Sequence, residues 1–192
     1  MKQGSVKAVC LDDEHNFNKK IQDKINLIEG LGVEGDAHFG KLAQHRYLQS
    51  QDPTQPNLRQ VHLLDSALLD DLKPFGYHLN SGDMGENITT EGINLVELPL
   101  GTVLHIGETV TLRVTGLRNP CPVIEKYKAG LFKIFRDDIE IADNEAGYKV
   151  VEGSLIRKAG IMSVVLTTGS ITSNDKVTVE LPPHPHKELP FL

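Results

Sequence analysis

Short alternating runs punctuated by glycine dominate this chain. Val110, Leu112 and Val114 alternate with Thr109, Thr111, Arg113 and Thr115, which is the period of a half-buried strand. Gly101-Thr-Val-Leu-His-Ile-Gly107 precedes that run and predicts a hairpin with it. Ser5–Leu11, Gln60–Leu64, Ile161–Thr167 and Lys176–Leu181 read as further strands, and Lys20–Ile28 as an extended segment of mixed polarity. Helical signals are few. Lys41–Ser50 places Leu42, Ala43 and Tyr47 on one face. Asp65 is a capping residue ahead of a short helix ended by Pro74. Leu131–Arg136 continues a helix begun near Pro120. Strands and helices do not alternate, so a doubly wound parallel sheet is excluded, and a mostly β fold, a β-barrel or a distorted sandwich, is expected. One domain over residues 5–181 is expected, followed by a Pro/His-containing tail over residues 182–192 with no core pattern.

Composition narrows the function classes. The net charge is −6 and the basic residues are scattered, which speaks against a nucleic-acid surface or an anionic membrane partner. Two cysteines cannot build a disulfide framework, so a reducing cytoplasm is the expected compartment. Met-Lys-Gln-Gly-Ser-Val-Lys at the start lacks the apolar stretch of a signal peptide, and no segment is long and apolar enough to span a bilayer.

The chemistry concentrates at Cys121, in Gly116-Leu-Arg-Asn-Pro-Cys-Pro122. Asn119 suits an N-cap, Pro120 the first helical position and Gly130 the exit. A cysteine in the first turn of a helix, three residues after Arg118, sits where a thiol pKa falls. A thiolate there is a nucleophile and a soft metal ligand. Equally, a free cysteine can be a buried small hydrophobe; Cys10, within a strand, fits that description better.

Other motifs have plainer readings. Gly30-Leu-Gly-Val-Glu-Gly35 has the spacing of a dinucleotide fingerprint but no βαβ context. Gly35 to Lys41 is one residue short of a P-loop, and position 42 is Leu where that loop needs Ser or Thr. Glycines in a tight loop explain both. Asp36 and His38, with His45 and His62, contain metal-ligating atoms without the tight spacing of a zinc site. Glu86-Asn87 fits a turn-stabilising pair or a polar ligand clamp. His184 and His186 fit a solvated tail. No Gly-x-Ser-x-Gly elbow is present.

Several pieces in order resemble the MOSC domain, named for the C-terminal part of molybdenum cofactor sulfurases. They are Gly32-Val-Glu-Gly-Asp-Ala-His-Phe-Gly40, Arg59-Gln-Val-His-Leu-Leu64, Gly85-Glu-Asn-Ile88, Gly101 to Gly107, Arg118-Asn-Pro-Cys121 and Gly160-Ile-Met162. The chain looks like the small stand-alone bacterial kind. The resemblance implies a mostly β, pyruvate-kinase-barrel-like fold with a few short α-helices and a cleft holding the cysteine. It implies one of two activities. Either Cys121 ligates the molybdenum of a bound molybdenum cofactor, in an oxidoreductase that reduces N-hydroxylated compounds, or Cys121 carries a persulfide received from a pyridoxal-phosphate cysteine desulfurase. Arg118, Asp36, His38, Glu86 and Asn87 would line the pocket. An electron-donor reductase or a desulfurase would be the protein partner and a small molecule the substrate. A non-catalytic binding module is the third reading. Oligomeric state is not legible.

Overall fold

The computed structural model describes residues 2–120, 122–136, 141–142, 149–150 and 158–192. Its strands are β1 (Gln3–Leu11), β2 (Lys20–Gln22), β3 (Lys24–Ile28), β4 (Gly32–Val33), β5 (Val61–Asp65), β6 (Ile88–Glu91), β7 (Val103–Ile106), β8 (Val110–Leu117), β9 (Ile141–Ala142), β10 (Lys149–Val150), β11 (Ile161–Thr167), β12 (Gly169–Thr172) and β13 (Lys176–Glu180). The helices are short: α1 (Arg46–Gln51), α2 (Ser66–Leu72), α3 (Ile124–Tyr127) and α4 (Leu131–Phe135).

Seven strands close a barrel in the order β13-β7-β8-β11-β5-β6-β1, and β1 returns to β13. Closure removes the exposed edges that an open sheet of this size would carry. β1 accomplishes it by bending. Gln3–Ser5 pairs with β13, a bulge follows between Val6 and Ala8, and Val9–Leu11 pairs with β2 instead. All ladders of the barrel are antiparallel except β5 with β6; the connection between those two carries α2.

The alternation of β8 holds as expected. Val110, Leu112 and Val114 are buried, whereas Arg113 faces solvent. With Leu104, Ile106, Ile161, Val165, Val177 and Val179 they fill the barrel. The ribbon β12-β3-β4 adds Leu27, Val33 and Ile171 to the same core. A second apolar cluster lies around α2, α3 and α4, built from Leu64, Leu72, Met84, Ile124, Phe132 and Phe135 among others.

Three local expectations change. The helix expected over 41–50 begins only at Arg46, because Leu42 forms a bridge with Pro56. The helix expected from Pro120 begins at Ile124. Val123 holds the cap position of α3, with no side-chain bond. A proline disfavours helical φ/ψ in the residue before it, and two prolines in a row of three delay the helix until after Pro122. The end of the chain, which shows no core pattern in sequence, packs on the barrel. Leu189 joins the core, and Leu117 N–H donates to the Pro190 carbonyl at 2.8 Å. Asp65 does cap α2, accepting from Ala67 N–H at 3.1 Å.

Candidate functional site

The register sets Leu117, Ile161, Leu63, Ile88 and Val9 side by side on consecutive strands. Each has a polar or tight neighbour in sequence: Arg118, Gly160, His62, Asn87 and Cys10. Backbone bonds bind these neighbours together. Arg118 N–H donates to the Gly160 carbonyl (3.0 Å), Asn87 N–H to that of His62 (2.8 Å), and Cys10 N–H to that of Asn87 (2.8 Å). Gly160 lies at φ +95°, and a Cβ there would overlap the Leu63 carbonyl and stand 2.8 Å from His62 Nε2, so only glycine fits.

Asp36 is the centre of this arrangement. Its side chain is 1% exposed. Oδ2 accepts from the Lys19 ammonium and, at 2.9 Å, from Asn87 Nδ2. Oδ1 accepts from His38 N–H at 3.0 Å and faces His38 Nδ1 at 3.2 Å. Burial alone would raise this carboxyl, but the hydrogen bonds of His38 and Lys19 and the Lys19 charge outweigh it and hold it well below the usual carboxylate range. Burial in turn pulls the Lys19 ammonium down, against the attraction of Asp36.

Asn87 ties the hub to two strands. Its Nδ2 also reaches the Cys10 carbonyl at 3.2 Å, and its Oδ1 accepts from His62 N–H at 3.2 Å. His62 is buried and donates Nε2–H to the Ala159 carbonyl at 2.9 Å. Burial, then the charge of Arg118, lowers its pKa well below the histidine norm, so it is neutral. Glu86 is fully buried and turned into its own loop. Its carboxylate accepts from Gly82 N–H (2.8 Å), Met84 N–H (3.1 Å) and Thr89 Oγ1 (2.9 Å). That is the turn-stabilising reading of the pair, with burial raising the Glu86 pKa.

Arg118 holds its guanidinium 5.7 Å from the Phe17 ring centre, a cation–π distance. Phe17 stacks in turn at 5.4 Å on Tyr127 of α3, whose hydroxyl donates to Asp83 Oδ1 at 2.7 Å. These contacts anchor the segment that flanks residue 121 against the loop carrying Lys19. Cys121 itself lies outside the described residues. Cys10 is sealed in β1, and burial pushes its thiol up to about 12.

A cavity of about 240 Å³ adjoins the hub through His38. His45, Gln55, Leu58, Arg59 and Phe191 are among its other walls, and no acidic residue lines it among the described residues. Asn57 braces it. Its Nδ2 donates to the His38 carbonyl (2.9 Å) and that of Gly40 (3.0 Å), while Oδ1 accepts from Arg59 N–H (3.1 Å). The local field is positive. Burial first, then Arg59, His38, Arg118 and His15, lower His45 to about 4.

Asp36, His38 and Asn87 are therefore brought together, with Arg118 close enough to bias the histidines and Glu86 beside them but facing away. Lys19, Asn57 and Arg59 escape sequence reasoning as site residues. A lone lysine in a polar segment and an asparagine in a proline-rich loop have no spacing signature. The four metal-capable residues do not converge on one point: His62 is taken by Ala159 and Asp36 by its donors. Among the described residues no group of three or more His, Cys, Asp or Glu is arranged to hold a metal ion.

These features define a closed-barrel protein with a buried polar hub beside a positively biased cavity. The chain belongs to the MOSC domain family, whose model matches residues 34–178. The fold is shared with solved structures of low identity. The YuaD protein of Bacillus subtilis superposes with a TM-score of 0.72 at 17% identity, covering 94% of this chain and 97% of that one. YiiM of Escherichia coli gives 0.58 at 14% identity over 96% of this chain and 73% of its own, and YiiM of Geobacillus stearothermophilus 0.55 at 12% over 96% and 77%. No curated protein matches the sequence. No helix among the described residues is long and apolar enough to cross a membrane.

Proposed function

We propose that this is a cytoplasmic protein that binds the molybdenum cofactor through Cys121 and supports reduction of N-hydroxylated compounds, with electrons from a separate donor protein. The observation that carries the reading is convergence. Residues far apart in sequence, Lys19, Asp36, Asn57, Arg59, His62, Asn87 and Arg118, meet around one hub and one cavity in a MOSC-family barrel.

The residues fit such a group. A molybdopterin pairs a heterocycle with a phosphate, and the cavity combines apolar walls at Leu58 and Phe191 with Arg59 and no acidic side chain among the described residues. The resemblance to the MOSC family implies Cys121 as the sulfur donor, and the buried Cys10, its thiol pushed up by burial, does not compete for the role. Arg59 and Gln55 would hold the polar edges of the group, and Cys121 its metal. When bound, the cofactor supplies the two-electron redox centre. The chain's own residues orient it and handle protons.

Elemental analysis of protein from a host that makes the cofactor tests this. Near-stoichiometric molybdenum in the wild type, lost in Cys121→Ser, is expected. No molybdenum in either protein overturns the reading and leaves sulfur carriage, for which incubation with a pyridoxal-phosphate desulfurase and cysteine would add one sulfur to Cys121.

A further inference from the structure

The hydrogen bonds around Asp36 fix more than its charge. Three of its partners can only donate: the Lys19 ammonium, Asn87 Nδ2 and His38 N–H. A buried carboxylate already held by an ammonium keeps no proton of its own. The hydrogen between Asp36 Oδ1 and His38 Nδ1, 3.2 Å apart, therefore belongs to the histidine. Neutral His38 is then the Nδ1–H tautomer, and its lone pair sits on Nε2. The side chain is 29% exposed and lines the cavity.

The Asp36 carboxylate is also paired with the buried Lys19 ammonium. His15 meets the His38 ring edge-on with centroids 5.2 Å apart, and His45 and Arg59 share its cavity.

We propose that His38 Nε2 is the proton acceptor of this cavity and that Asp36, itself held by Lys19 and Asn87, is the positioning residue that makes it so. The ligand class is a small compound that presents an N–H or O–H to Nε2. One proton passes between that group and Nε2 and returns by the same path; the Nδ1–H stays with Asp36, and no other bond changes. The identity of the compound as an N-hydroxylated one rests on the cofactor reading; the tautomer does not.

Long-range ¹H–¹⁵N correlation spectra of the full chain without cofactor, at a pH where His38 is neutral, read the tautomer directly. His38→Gln, whose amide can still donate to Asp36, assigns the signals by their loss. The Nδ1–H pattern is expected, and the Nε2–H pattern overturns the proposal. Cofactor-loaded protein gives the second arm. His38→Gln is expected to lower kcat for an N-hydroxylated base by at least about 100-fold, the lower bound for a positioned acid–base group. KM should change little, and one limb of the pH profile should disappear. An unchanged kcat and profile overturns the proton role while the molybdenum content leaves the cofactor reading intact. A wild type without molybdenum removes the cofactor reading, and the tautomer measurement still decides the assignment of Nε2.

Discussion

The Lys19 ammonium lies against Asp36 Oδ2 with both side chains buried, 5% and 1% exposed. The two come from different loops, one after β1 and one after β4, so their pairing pins both loops to the barrel. Removing one partner of a buried pair leaves an uncompensated charge, which costs about 3–5 kcal/mol. Lys19→Met is expected to fall in that range, measured as the change in unfolding free energy in urea. A loss below about 1 kcal/mol would mean that water already compensates Asp36.

Asn87 satisfies three buried groups at once: Asp36 Oδ2, the Cys10 carbonyl and His62 N–H. Each buried polar group left unpaired costs about 1–3 kcal/mol. Asn87→Ala is expected to destabilise by at least about 2 kcal/mol and to speed hydrogen exchange at the His62 amide. An exchange rate equal to that of the wild type would contradict the bond.

Gly160 combines positive φ with backbone contact to Leu63. Left-handed strain alone costs about 1–3 kcal/mol, and the overlap adds to it. Gly160→Ala is expected to lose at least the upper end of that range. By contrast Gly30→Ala, with open space around the added methyl, should lose only the strain. Equal losses in thermal unfolding would show that the Leu63 contact does not matter.

Stability should fall on mild acidification. His45 and His62 both have pKa values below the histidine norm, chiefly through burial. Below about pH 6.5 the unfolded chain binds protons that the folded chain refuses, so unfolding gains. The His45 share is lost from about 6.5 down to about 4, where the folded group also titrates. Buried His62 adds to the loss in the same direction, since its folded-state pKa lies well below the histidine norm. The depressed Asp36 carboxyl acts lower, its stabilisation fading as pH falls below the ordinary carboxylate range. Urea midpoints at pH 7 and 5 test the sign; a flat profile would show that neither histidine is held neutral.

Thiol chemistry separates the two cysteines. Cys10 is fully buried with its thiol pushed up to about 12, so it should resist iodoacetamide in the folded protein at neutral pH. A single adduct located at Cys121 is expected, and none in Cys121→Ser until urea is added. Labelling of Cys10 in the folded protein would contradict its burial.

The strand pattern was legible because each strand pairs two faces with period two: β8 keeps Val110, Leu112 and Val114 inside and Arg113 outside. The hairpin to β7 and the Asp65 cap were equally local. The ordered motifs also marked the MOSC family and the segments around Asp36, His62, Asn87 and Arg118. What no local pattern could carry was pairing over distance. Closure of β1 on β13 depends on a bulge at Val6 and Ala8. The Lys19–Asp36 contact depends on two loops meeting. The packing of Leu189 depends on the barrel wall it covers. The helix expected at Pro120 starts only at Ile124, because each proline disfavours helical φ/ψ in the residue before it. Sequence by itself determined the kind of strands and the family. Tertiary structure decided which residues share one hub, because hydrogen bonds and burial act between chain segments that only the closed barrel brings together.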